Sequence, residues 1–130
     1  MITGTHVLLY SNDADADRAV LRDALGFRAV DAGGGWLIFA LPPSEVAVHR
    51  AGEAHGSSAG GGGMLRSELY LMCDDVHSAI AALEAKGVRC GPVDQAPWGL
   101  RTSIPLPSGG EIGLYQPLHP TAIGLPASNR

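Results

Sequence analysis

HVLLYSND (6–13) and ELYLMCDD (68–75) are two versions of one element. Each is a short apolar run closed by a polar turn that ends in aspartate, a residue suited to cap a following helix. The parallel continues downstream. ALGFR (24–28) answers AKGVR (85–89), each with the glycine that stops a helix. LPPSEVAVH (41–49) answers LPSGGEIGLY (106–115) with one insertion. A repeated unit of about 50 residues that bares one face of a small sheet cannot bury that face alone, so two units must combine.

Each half reads β-α-β-β-β. In the first, strands are expected at 6–10, 27–30, 36–41 and 45–49, with a helix over 14–25 capped by Asp13. In the second, strands are expected at 68–73, 88–90, 100–106 and 111–115, with a helix over 76–86. The expected architecture is α+β: a first module at 4–50, a Gly-rich connector at 51–66, a second module at 67–117 and a tail at 118–130. The modules should form a curved mixed sheet with a cleft on one side and helices on the outer face.

Composition narrows the function. The chain has 130 residues, enough for one domain, with net charge −4 and Lys86 as its only lysine. A nucleic-acid binder needs a cationic stripe, and none is present. No apolar run approaches the ~18 residues of a membrane span, and residues 1–4 open no secretory signal, so a cytoplasmic location is expected. Cys73 and Cys90 fit no metal-ligand spacing and are expected as reduced thiols. Motifs for a P-loop, a nucleophile elbow, a zincin helix and a dinucleotide fold are missing. The aspartates at 13, 15 and 17 read as helix-cap and solubilising charge.

Strand alternation separates two sets of side chains. Val7, Leu9, Val46, Val48, Leu69, Leu71, Cys73, Ile112 and Leu114 form an apolar set that should meet the helices. The opposite register holds His6, Leu8, Tyr10, Glu45, Ala47, His49, Glu68, Tyr70, Met72, Glu111, Gly113 and Tyr115. It carries all three tyrosines, with small Ala47 and Gly113 leaving room between them. Trp36 and Trp98, each beside a glycine and before the third strand of its half, are candidate pocket rims. The expected ligand-binding set is His6, Leu8, Tyr10, Trp36, Ala47, His49, Glu68, Tyr70, Met72, Trp98, Leu100, Gly113 and Tyr115. Core packing and a plain solvated sheet face are the competing readings.

The duplicated unit resembles the vicinal oxygen chelate superfamily, which includes glyoxalase I, extradiol dioxygenases, fosfomycin-resistance enzymes and bleomycin-resistance proteins. The resemblance rests on HVLLYSNDADADRAVLRDALGF from residue 6, GGGWLIFALPP (33–43), ELYLMCDD (68–75) and PSGGEIGLYQP (107–117). It implies the paired-module fold. In metal-dependent members the first strand of each half supplies a histidine or related ligand and the centre of each last strand a glutamate. His6 and Glu68 match the first pair of positions, while Ala47 and Gly113 stand at the second and cannot ligate.

The resemblance therefore implies a metal-free, cofactor-free binding protein of the bleomycin-resistance branch. Such a protein would sequester an aromatic antibiotic without chemical change, as a homodimer with shared clefts. A metalloenzyme of the superfamily using His6 and Glu68, with a displaced ligand such as His49 or Glu111, is the alternative. A regulatory subunit with a vestigial cleft is the third reading.

Overall fold

A computed structural model of the chain describes residues 2–50 and 63–126. Connector residues 51–62, with His55, and the end of the tail lie outside the described residues. The architecture is α+β, with two helices and two sheets of mixed strand order among the described residues.

Helix α1 covers Ala14–Ala19. Asp13 caps it, its Oδ1 accepting the Ala16 N–H at 3.3 Å. The expected α-helix does not continue to residue 25. It widens into a π-helical turn over Val20–Ala24, where Leu25 N–H bonds Val20 O at 3.0 Å. Strands β1 (Ala29–Asp31) and β2 (Leu37–Phe39) form an antiparallel hairpin with Ala29 opposite Phe39. Its turn explains GGG at 33–35. All three glycines have positive φ, and the Asp31 carboxylate accepts the N–H groups of Gly33 (2.7 Å) and Gly35 (3.2 Å).

The second half is complete. Strand β3 (Tyr70–Met72) is followed by α2 (Val76–Glu84), then β4 (Asp94–Ala96), β5 (Gly99–Pro105) and β6 (Glu111–Pro117). The sheet order is β3-β6-β5-β4, with β3 parallel to β6 and the other pairs antiparallel. Asp75 caps α2 by accepting from His77 and Ser78 N–H. The Gln116 side-chain carbonyl takes the Val76 N–H at 3.1 Å and ties the helix start to β6. The strand expected at 88–90 lies instead at Asp94–Ala96. Pro92 has no N–H to donate, so the ladder against β5 becomes regular only beyond it.

Leu83 of α2 packs with Ile104 and Leu114 into the core, and Ala24, Leu25, Leu71, Cys73 and Val88 close around them. Val76 and Ile104 are fully buried, each contributing about 1.5–3 kcal/mol of side-chain burial. Helix α1 is fastened to the same sheet. Buried Asp17 accepts the Ser108 N–H at 3.0 Å and the Ser11 hydroxyl at 2.6 Å. Asp17 is thus a structural tie, not the solubilising charge expected from sequence.

The first half departs further. Residues 6–10 and 45–49 carry strand patterns, yet neither is a strand. Their apolar register does not meet the helices. Val46 and Val48 are 90% and 88% exposed, whereas the repeat-equivalent Ile112 and Leu114 are 2% and 4% exposed. An extended segment is stabilised by a neighbouring strand, and among the described residues neither segment has one.

Candidate functional site

Register assigns the two faces of the four-stranded sheet. Tyr70 stands opposite Gly113, Met72 opposite Tyr115, and Arg101 opposite both Tyr115 and Asp94. These residues share the face away from the core. Leu71, Ile104, Ile112 and Leu114 point the other way. Leu100, opposite Gln116 and Gln95, also lies on the helix side, so it does not join the sequence-predicted set to which it was assigned.

Three aromatic rings gather on the open face. Tyr70 meets Trp98 edge to face with centroids 5.5 Å apart, and meets Tyr115 at 5.8 Å. Trp98 and Tyr115 are 4.9 Å apart at 81°. Such pairs add about 0.5–1.5 kcal/mol each beyond area burial. Glycines make the cluster possible. A Cβ at Gly99 would stand 2.7 Å from the Tyr115 ring, and one at Gly113 would overlap the Tyr70 ring. Tyr115 is buried at the base, while Tyr70, Met72 and Trp98 remain half-exposed.

Polar groups rim the rings. Asp94 takes two hydrogen bonds from Arg101, at 2.7 and 3.3 Å, and the guanidinium lies 5.4 Å from the Trp98 ring centroid. The hydrogen bond from Arg101 holds the Asp94 carboxyl below its ordinary value. The Tyr115 hydroxyl is 3.0 Å from His119 Nε2, and the His119 ring stacks on Tyr115. Burial, and then the charge of Glu45, push the Tyr115 phenol up, so it stays neutral at neutral pH. The tail crosses this rim. Leu118 N–H bonds Trp98 O, and Ala122 N–H bonds the Glu45 carboxylate at 2.8 Å. The arrangement offers flat apolar surfaces and a few fixed polar groups, suited to stacking and orienting a ligand.

The structure brings together Tyr70, Met72, Trp98, Gly113 and Tyr115 from the expected set. His6, Leu8, Tyr10, Ala47 and His49 lie on exposed segments outside the cluster, with Tyr10 at 91% exposure. Trp36 instead faces Arg18, whose guanidinium is 4.9 Å from its ring centroid. Glu68 is exposed and 4.0 Å from Arg66. Arg101 and His119 were not foreseen. Alternation along GLRTS (99–103) would have placed Arg101, whereas no periodic signal marks His119.

Among the described residues, no three His, Cys, Asp or Glu side chains converge. Ala47 and Gly113, at matching positions of the repeat, have no side-chain donor for a metal. A shallow groove lined by Glu84, Gly87, Val88 and Arg89 shares no residue with the cluster. Among the described residues, no helix is long and apolar enough to cross a membrane.

The chain is similar to the crystal structure of TnmS3, an antibiotic binding protein from Streptomyces sp. CB03234. The identity is 25%, the TM-score 0.56, and the match covers 90% of this chain and 99% of that one. A lactoylglutathione lyase from Agrobacterium tumefaciens shares the fold, at 19% identity and TM-score 0.53 over 88% of this chain and 92% of that one. No curated protein matches. The sequence profile of the Glyoxalase/Bleomycin resistance protein/Dioxygenase superfamily matches residues 5–112. With the repeat, the βαβββ order of the second half and a profile spanning most of the sequence in agreement, the chain belongs to the Glyoxalase/Bleomycin resistance protein/Dioxygenase superfamily.

Proposed function

We propose that this protein is a cytoplasmic, dimeric binding protein that sequesters a flat aromatic natural product, an antibiotic or toxin, without metal, cofactor or chemical change. The observation that carries the reading is the Tyr70–Trp98–Tyr115 cluster on the sheet face away from the core. Buried Tyr115 braces the other two rings, and half-exposed Tyr70, Trp98 and Met72 offer surface for stacking. Arg101 and Asp94 neutralise one another beside Trp98, so the rim orients a ligand with little net charge. The likeness to an antibiotic binding protein supports the ligand class. Gly113 and Ala47, at positions where metal-dependent relatives place carboxylates, support the metal-free reading.

The test is fluorescence titration of a Trp36→Phe variant, in which Trp98 is the only tryptophan. A panel of polycyclic aromatic antibiotics should include one that quenches Trp98 saturably and is recovered unchanged. Removal of metals with a chelator should leave that titration unaltered. A panel without quenching, or turnover restored by a divalent metal, overturns the reading.

A further inference from the structure

We propose that Tyr70 and Arg101 together read an acceptor oxygen on the edge of the ligand's ring system, so that the site prefers neutral aromatic ketones to the matching hydrocarbons. The inference names a chemical class within the binding reading above and rests on that reading.

The path of the Tyr70 side chain carries the argument. Its ring leaves β3 and crosses β6, lying over Gly113 in the place a side chain would fill. The next strand in that direction is β5, where Ser103 stands opposite Gly113 and Arg101 lies two residues away on the same face. The crossing thus takes the phenol oxygen towards the Arg101 guanidinium. The charge of Arg101 is favoured first by its hydrogen bonds to Asp94 and then by the neighbouring Tyr70 phenol. Both groups meet the same indole. The Tyr70 and Trp98 ring centroids are 5.5 Å apart, and the guanidinium carbon is 5.4 Å from the Trp98 ring centroid.

Asp94 fixes the guanidinium from the β4 side. It accepts from Nε at 2.7 Å and from Nη2 at 3.3 Å, which uses two of the five guanidinium N–H groups. The rest are left for the phenol oxygen and for a ligand. A cation beside a phenol oxygen draws its lone pairs and turns its proton away. The Tyr70 hydroxyl is then a donor directed away from Arg101, on a ring that is half-exposed on the ligand face. Donors grouped in this way are complemented by an acceptor oxygen.

Charge decides which acceptor fits. Asp94 already pairs the guanidinium, and the Glu45 carboxylate acts on Tyr115 at the base of the cluster. A ligand carboxylate would add negative charge near Glu45 beside a cation that is already neutralised. A ketone oxygen accepts the same hydrogen bonds without that penalty.

Fluorenone, fluorene and fluorene-9-carboxylate test this on one tricyclic frame. Fluorene lacks the polar oxygen, so transfer out of water by itself favours fluorene over fluorenone. Equilibrium dialysis should nevertheless show the parent protein binding fluorenone more tightly than fluorene, and the carboxylate no more tightly than fluorene. Tyr70→Phe keeps the stacking ring and should cut the ratio of fluorenone to fluorene affinity about five-fold, as for one hydrogen bond. Arg101→Met should cut the same ratio. A purely structural role for either residue would weaken both compounds together and leave the ratio where it was. Equal affinity for the two in the parent, a ratio untouched by Tyr70→Phe, or tightest binding of the carboxylate overturns the acceptor assignment while the stacking face stands. Binding of none of the three overturns the stacking reading and this assignment with it.

Discussion

The ring of Tyr70 lies across the backbone of Gly113, its direct partner on β6, so closely that no side chain fits at position 113. The same ring meets Trp98 and Tyr115 edge to face. The glycine therefore sets the aromatic cluster, and Gly113→Ala should displace Tyr70. The cost of such overpacking is about 1–3 kcal/mol, read as a fall in Tm of several degrees. Antibiotic quenching of Trp98 should weaken in parallel. An unchanged Tm and unchanged quenching would show that Tyr70 has another place to go.

Tyr115→Phe keeps the ring and removes the hydroxyl that meets His119 at 3.0 Å. The expected loss is about 0.5–1.5 kcal/mol in urea unfolding. His119→Ala should lose more, since it also removes the ring stacked on Tyr115, and the double variant should lose little more than His119→Ala, because the shared hydrogen bond is already gone. Full additivity would mean that the two groups act separately.

Asp17 links acidity to the docking of α1. Burial alone would raise its carboxyl pKa, but the Ser11 hydroxyl and Ser108 bonds outweigh it and hold it below the ordinary 3.8. A lowered folded-state value means that the charged form stabilises the fold. That contribution is present above the unfolded value and is lost as pH falls through the folded one. Asp17→Asn should therefore be less stable than the parent at pH 7, by about 1–3 kcal/mol for hydrogen bonds to a charged group. The gap should shrink below about pH 4. Urea titrations at both pH values measure it, and a gap independent of pH would refute the assignment.

Both cysteines should react slowly in the native protein. Burial, reinforced by the charges of Asp75 and Asp74, pushes the Cys73 thiol up, and burial with Glu84 does the same for Cys90. The thiolate is the reactive form. Alkylation at pH 8 should thus be several-fold slower than in denaturant, as followed by mass spectrometry. Native rates equal to the unfolded ones would count against this.

Much of the second half was legible because its signals are local. Asp75 caps α2, and LPSGG turns β5 into β6 through Gly109 at positive φ. Alternation in EIGLY sends Ile112 and Leu114 to the core and Gly113 and Tyr115 to the other face. Arg101 could have been read by the same alternation. His119 could not, since its contact with Tyr115 depends on how the tail folds back over the rim. Asp17 was misread for a similar reason. Its partner Ser108 lies 91 residues away, and a helix-start aspartate looks the same whether it faces water or a distant turn.

The sequence by itself determined the α+β class, the internal repeat, the capped helices and the two-sided character of the strands, because these follow from short-range periodicity and turn chemistry. Only the tertiary structure decided which strands exist in a single chain. HVLLY and EVAVH have the same alternation as ELYLM and EIGLY, yet among the described residues 6–10 and 45–49 join no strand while β3 and β6 are paired. A strand is completed by hydrogen bonds from a neighbour that its own residues do not specify. The same holds for the ligand face, where a glycine is only a small residue until a particular ring lies across it.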